Sequence, residues 1–154
     1  MNLSELIAPE AIIPVLKANS KKQVLKILAK KANELTGLDE RMVFDVILQR
    51  EKLGSTGVGN GIAIPHGKFP SIDRNICIFA RLEHPVDFET FDDEPIDLIF
   101  LLLAPEHAGT DNLKALSQIM RILHYSDVVD KLRNTHDVDA LDALLLQHLT
   151  LNAA

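Results

Sequence analysis

R-E-K-L-G-S-T-G-V-G-N-G-I-A-I-P-H-G-K, residues 50–68, is the stretch on which the reading of this chain turns. Five of the seven glycines fall between Gly54 and Gly67. Glycine lets backbone approach a ligand closely or adopt a positive φ without a Cβ clash. The loop runs into Ile62-Ala63-Ile64, a short apolar run that reads as a buried strand. Pro65 ends the run, since it has no N–H for a sheet ladder. His66 and Gly67 follow. One imidazole is thus expected at a strand end, beside backbone N–H groups that form anion-binding nests. Two readings are open. His66 is a turn residue bonded to a neighbour, or it is a nucleophile or base at a phosphate-binding loop. Histidine titrates near neutrality and can carry a covalent intermediate.

The flanking sequence predicts helices on both sides of a set of strands. Ser20-Lys21-Lys22-Gln23 fits a capping box, and Val24, Leu25, Ile27, Leu28, Ala32 and Leu35 follow at helical spacing up to a stop at Gly37. Lys22, Lys26 and Lys30 line the other face, read as solvated. Asp39 is expected to cap a second helix, about 40–52, with Arg50 in its last turn. There a guanidinium can complement the helix dipole and also pair with phosphoryl oxygens through its planar fork.

Residues 9–17, with Pro9 and Pro14, read as an extended segment at a sheet edge, where a proline costs no ladder bond. Residues 74–82 read as a strand. Residues 83–97 carry seven acidic residues and no Lys or Arg, and read as a solvated surface hairpin rather than a cation site. Leu98 to Ala104 is a continuous apolar run, expected to be a central strand buried on both faces. Three helices complete the chain: about 110–123 with Leu113, Leu116, Ile119, Met120 and Leu123 inward, 127–133 capped by Ser126, and about 138–149 capped by Asp137 with Leu141, Leu144, Leu145 and Leu149 inward. Residues 150–154 are expected to fray. The fold class is α/β, a single layered domain over 1–154 with a mixed sheet flanked by helices.

Composition narrows the function classes. The net charge of −6 argues against non-specific nucleic-acid binding. Cys77, alone, permits no internal disulfide, fits a reducing cytoplasm, and reads as a small buried hydrophobe. No apolar segment approaches the length of a membrane span, and no signal peptide is evident, so a cytoplasmic location without membrane insertion is expected. The six histidines, His66, His84, His107, His124, His136 and His148, include no HExxH pair and no Cys–His set, so no metal and no cofactor are expected. Apart from His66 they read as loop or surface residues.

The segment L-G-S-T-G-V-G-N-G-I-A-I-P-H-G resembles the active-site segment of IIA components of the bacterial phosphoenolpyruvate-dependent phosphotransferase system. The class is the mannitol/fructose type, and the similarity is greatest to its nitrogen-regulatory branch, IIA-Ntr. It extends from about Ser20 to the last helix. The resemblance implies a roughly five-stranded mixed sheet. It implies that the His of the I-P-H-G turn, here His66, accepts a phosphoryl group on Nε2. It also implies a nearby Arg sixteen residues upstream, where Arg50 stands.

On that basis Arg50 would neutralise phosphoryl oxygens. The N–H groups of Gly57, Gly59, Asn60, Gly61 and Gly67 would cradle them, with Thr56 as a further donor. Members of the class often carry a second His at the start of the helix after the central strand. Here that position is Asn112, which can hydrogen-bond a phosphoryl oxygen but cannot titrate. His107, five residues earlier, is the other candidate for that place.

The implied function is a nitrogen-regulatory phosphoryl carrier, transferase-like rather than a free-standing enzyme. Its donor would be an HPr-like phosphohistidine protein, and its phosphorylation state would select regulatory partners such as potassium transporters or sensor kinases. The lack of an attached IIB-like or IIC-like domain favours the regulatory role. Two alternatives stand beside it: a sugar-specific IIA that hands phosphate to a IIB component, and a module that holds phosphate or a nucleotide without covalent chemistry. The glycine loop leads into a strand rather than a helix and lacks G-K-[ST], which disfavours a nucleotide. No Ser/His/Asp set supports a hydrolase.

Overall fold

The computed structural model describes residues 6–107 and 111–151, with side chains described for 6–107 and 112–147. Six strands and five helices appear among them: β1 (Ile12–Leu16), α1 (Lys21–Thr36), α2 (Glu40–Lys52), β2 (Gly57–Gly59), β3 (Ile62–Ala63), β4 (His66–Phe69), β5 (Ile76–Val86), β6 (Ile96–Pro105), α3 (Asp111–Leu123), α4 (Ser126–Asn134) and α5 (Val138–Leu151). The sheet order is β1-β5-β6-β3-β2, with β4 also paired to β6. β3 and β4 lie end to end along one edge of β6, Ile62 opposite Leu98 and His66 opposite Leu102. Pro65 divides them, so six strands occupy five positions across the sheet. β5 is antiparallel to β6, whereas β1, β3 and β4 run parallel to their neighbours β5 and β6. The sheet is mixed, as expected.

β6 is the centre of the fold because its side chains serve both faces. Ile99, Leu101 and Leu103 join a core with Leu25 and Leu28 of α1 and Val43 and Ile47 of α2. Leu98, Phe100 and Leu102 join a second core with Ile119 of α3, Leu132 of α4 and Leu141 of α5. The strand period of two makes this division, and an unbroken apolar run is what two buried faces require. Phe79 and Phe100 meet across β5 and β6 with ring centroids 4.9 Å apart.

The helix starts follow local chemistry. Ser20 Oγ accepts from Gln23 N–H, and Asp39 Oδ2 accepts from Met42 N–H. Gln23 does not close the box on Ser20; its Oε1 accepts instead from Asn19 N–H at 2.7 Å. Gly37, at φ 78°, ends α1 in the left-handed conformation.

Four expectations need correction. β5 runs on through Val86, so the acidic connection is 87–95 rather than 83–97. Ser126 is the first residue of α4, whose N-cap position is Tyr125, which makes no side-chain capping bond to the helix. Leu113 is 59% exposed, because α3 is turned to bury Ala115, Ile119 and Ile122. Residues after Pro65 form a strand, not a turn, since β6 still offers a free edge there. Asp137 does cap α5, its carboxylate accepting from Ala140 N–H. The expected helix start at Thr110, the inward Leu149 and the side chain of His148 lie outside the described residues.

Candidate functional site at the carboxyl end of the central strand

His66 opens β4 opposite Leu102, three residues before β6 ends at Pro105. Open α/β sheets bind ligands at such carboxyl ends. The ring is half-buried, and its Nδ1 lies 2.9 Å from the carbonyl oxygen of Ile64. A carbonyl can only accept, so this contact places the proton on Nδ1. In the neutral ring Nε2 then carries the lone pair. Gly67 follows under α2: a Cβ there would stand 2.8 Å from Val46 Cγ1 and 3.1 Å from the Phe69 ring. The strand and the helix can approach this closely only with glycine at 67.

Arg50 stands one helical turn beyond Val46 on α2, and residues four apart share a face. The helix then feeds a loop that reaches Ile64 through Thr56, whose carbonyl accepts from Ile64 N–H at 3.0 Å. Arg50 therefore stands at the end of α2 whose following loop pairs with Ile64, two residues before His66. Its Nη1 donates to Gly54 O at 2.9 Å, which holds the loop and leaves the rest of the guanidinium fork uncommitted to that bond. Leu53 beside it is 86% exposed, an apolar surface that charge and motif reasoning did not single out. Asn112 is half-buried in the first turn of α3, which packs on β6 and starts from the same carboxyl end. His107 is exposed in the connection before it.

The glycine loop is not gathered around His66. Gly57–Gly59 pairs with Ile62–Ala63 in a hairpin whose two turn residues are Asn60 and Gly61, at φ 56° and 74°. Positive φ at both is the requirement of a type I′ turn, and Asn-Gly is its usual sequence. That dipeptide was the available signal for a hairpin. The tip sits at the start of β6: Gly61 O accepts from Asp97 N–H at 2.9 Å. Asn60 O accepts from the Arg133 guanidinium, which also bonds both Asp97 carboxylate oxygens. From Asp97 to Leu102, the partner of His66, is about 16 Å along the strand. Asn60 and Gly61 are thus remote from the imidazole. Gly59 pairs with Ile62 in the hairpin. Gly57 N–H donates to Ser55 Oγ at 3.1 Å, and the Thr56 hydroxyl points inward to Glu51. The structure places His66 and Gly67 on β4, Arg50 in the last turn of α2 and Asn112 in the first turn of α3, and leaves the hairpin glycines to the hairpin.

The remaining histidines are dispersed. His84, His124 and His136 are exposed, and His136 Nε2 lies 2.8 Å from Arg81 Nη2, so it accepts from that guanidinium. Cys77 is fully buried in the second core, and burial pushes its thiol well above the ordinary range. Among the described residues no helix is long and apolar enough to cross a membrane.

The half-exposed imidazole bonded through Nδ1 to Ile64 O and the mixed sheet with helices on both faces fit one class of protein. The chain belongs to the family described as phosphoenolpyruvate-dependent sugar phosphotransferase system, EIIA 2, whose model matches residues 5–148. It is 57% identical over 145 residues to the nitrogen regulatory protein of Bradyrhizobium diazoefficiens, covering 94% of this chain and 95% of that one. Its fold matches that of the nitrogen regulatory protein IIA-Ntr from Neisseria meningitidis with a TM-score of 0.87, at 31% identity over 93% of this chain and 98% of that one. The mannitol IIA of Escherichia coli, at 22% identity, shares the fold with a TM-score of 0.76 over 90% of this chain and 97% of that one.

Proposed function

We propose that this chain is a phosphoryl carrier of the nitrogen-regulatory branch, in which His66 accepts the phosphoryl group of an HPr-like phosphohistidine donor. The observation that carries the reading is the Nδ1 contact with Ile64 O, which leaves Nε2 with the free electron pair. Nε2 attacks phosphorus in line, the new N–P bond forms as the donor's N–P bond breaks, and the donor imidazole keeps the bonding pair. Phosphoryl transfer of this kind asks the protein mainly for positioning and charge stabilisation. Arg50 supplies the charge, through guanidinium donors beyond the one that holds Gly54 O. Asn112 offers a neutral donor where many members of the class have histidine. Exposed Leu53 gives the donor protein an apolar contact beside Arg50.

The output is protein binding selected by phosphorylation state, in the cytoplasm, with partners such as potassium transporters or sensor kinases. Added phosphate brings negative charge and strong acceptors to the His66 surface and so makes or breaks an interface. The similarity to nitrogen regulatory proteins supports this over a sugar-specific role. The use of the loop glycines in a hairpin removes the main support for a nucleotide-binding module.

The test is transfer from phosphoenolpyruvate through Enzyme I and the HPr-like protein, followed by intact mass. The wild type is expected to gain one alkali-stable, acid-labile phosphoryl group and His66→Ala none. An unmodified wild type in the presence of charged donor would overturn the carrier role.

A further inference from the structure

A second polar assembly joins α1 and α2 to the loop before β2. Glu51, near the end of α2, has a side chain only 1% exposed and lies 2.8 Å from Lys21 Nζ at the start of α1. Lys21 also donates to Phe88 O at 3.2 Å and sits 5.3 Å from the centroid of the Phe88 ring. Glu51 accepts from the Thr56 hydroxyl and, at 3.4 Å, from the Thr56 N–H. The Thr56 carbonyl accepts from Ile64 N–H at 3.0 Å, and the Ile64 carbonyl accepts from His66 Nδ1 at 2.9 Å. An unbroken series of hydrogen bonds therefore joins the buried ion pair to the imidazole.

A buried ion pair is weak as a source of stability, because desolvation offsets its attraction. It can still enforce one geometry. A carboxylate is acceptor-only and has two oxygens for its three donors here, Lys21, the Thr56 hydroxyl and the Thr56 amide; an amide in its place would turn an NH₂ group toward donors.

We propose that Glu51 is a positioning residue for phosphoryl transfer. With Lys21 it fixes Thr56; Thr56 fixes Ile64; and the Ile64 carbonyl holds the ring proton on Nδ1, keeping Nε2 as the nucleophile. The inference rests on His66 as the phosphoryl acceptor. Outer partners that set the tautomer and orientation of metal-bound histidines are worth roughly ten- to a hundredfold in affinity or activity, and an effect of that order is expected here.

The experiment compares wild type, Glu51→Gln, Thr56→Val and Thr56→Ser in the full chain. Long-range proton–nitrogen NMR reads the His66 tautomer, and single-turnover transfer from the charged HPr-like donor reads the rate. Wild type and Thr56→Ser are expected to hold the Nδ1–H form. Thr56→Val and Glu51→Gln are expected to gain the Nε2–H form and to transfer roughly ten- to a hundredfold more slowly at saturating donor. Thr56→Val keeps the Lys21–Glu51 pair, so it remains informative if Glu51→Gln does not fold. A folded Thr56→Val protein with the wild-type tautomer and rate would overturn the proposal and leave Glu51 a purely structural residue. If the wild type accepts no phosphate, the carrier reading fails, while the tautomer comparison still decides whether this assembly acts on the ring.

Discussion

Gly67→Ala separates two roles for the glycine beside His66, the proposed phosphoryl acceptor. If glycine is there only to open an N–H to a phosphate, a methyl group costs the fold little. The structure assigns it a packing role, because the new Cβ would stand 2.8 Å from Val46 Cγ1 and 3.1 Å from two ring carbons of Phe69. Phe69 is fully buried and cannot swing away. Forcing a methyl group into packed space costs about 1–3 kcal/mol. Replacing glycine in a strand returns about 0.5–1 kcal/mol of backbone entropy. The net expectation is a loss of about 1–2 kcal/mol, or roughly 3–6 °C in Tm for a chain of this size. Urea unfolding of Gly67→Ala, Val46→Ala and the double variant measures it. Val46→Ala vacates the Cγ1 position, so the double variant should be more stable than the sum of the single losses, by at least about 0.5 kcal/mol. Full stability in Gly67→Ala, or strict additivity in the cycle, would refute the argument.

Two further outcomes concern titrating groups. Asp92, fully exposed, accepts from the Thr90 hydroxyl at 2.7 Å and from Glu94 N–H, and these bonds hold its carboxyl below the usual carboxylate range. A depressed folded pKa contributes stability that is present above the unfolded value and lost as pH falls through the folded one. Thr90→Val should therefore raise the Asp92 pKa toward its ordinary value and weaken that acid-range dependence, read by carboxyl chemical shifts during titration. Burial suppresses the Cys77 thiolate, so the native protein should resist a thiol reagent at mildly alkaline pH and react fully once unfolded in urea. Rapid labelling of the native protein would contradict the burial.

Local signals in the sequence carried over well, and signals that depend on distant partners did not. Ser20, Gly37 and Asp39 mark helix ends through bonds to residues a few positions away, so their roles were readable from spacing. The run 98–104 was readable because burial on both faces demands apolar residues at every position. The Asn60-Gly61 hairpin was also readable, but clustered glycines serve both tight turns and anion loops, and only the placement of the tip beside Asp97 and Arg133 separates the two. Leu113 reads as inward because apolar residues at 113, 115, 116, 119, 120, 122 and 123 fit more than one helix phase, and packing against the sheet selects among them. At the site, His66 stood out by its motif and Arg50 by spacing and helix position. Glu51 did not stand out, because its partner Lys21 is thirty residues away and a carboxylate beside Arg50 and Lys52 reads as an ordinary surface charge.

The division of β6 between two cores bears on how the molecule comes apart. Alternate residues of this one strand complete each hydrophobic layer. Neither helical layer can leave without uncovering half of the strand's apolar side chains and loosening the ladder that holds the other half. Partial opening is therefore penalised on both faces at once, and loss of one layer draws the other with it. The amides of β5 and β6 then exchange with solvent only through global unfolding, so the backbone opposite His66 belongs to the last part of the chain to open.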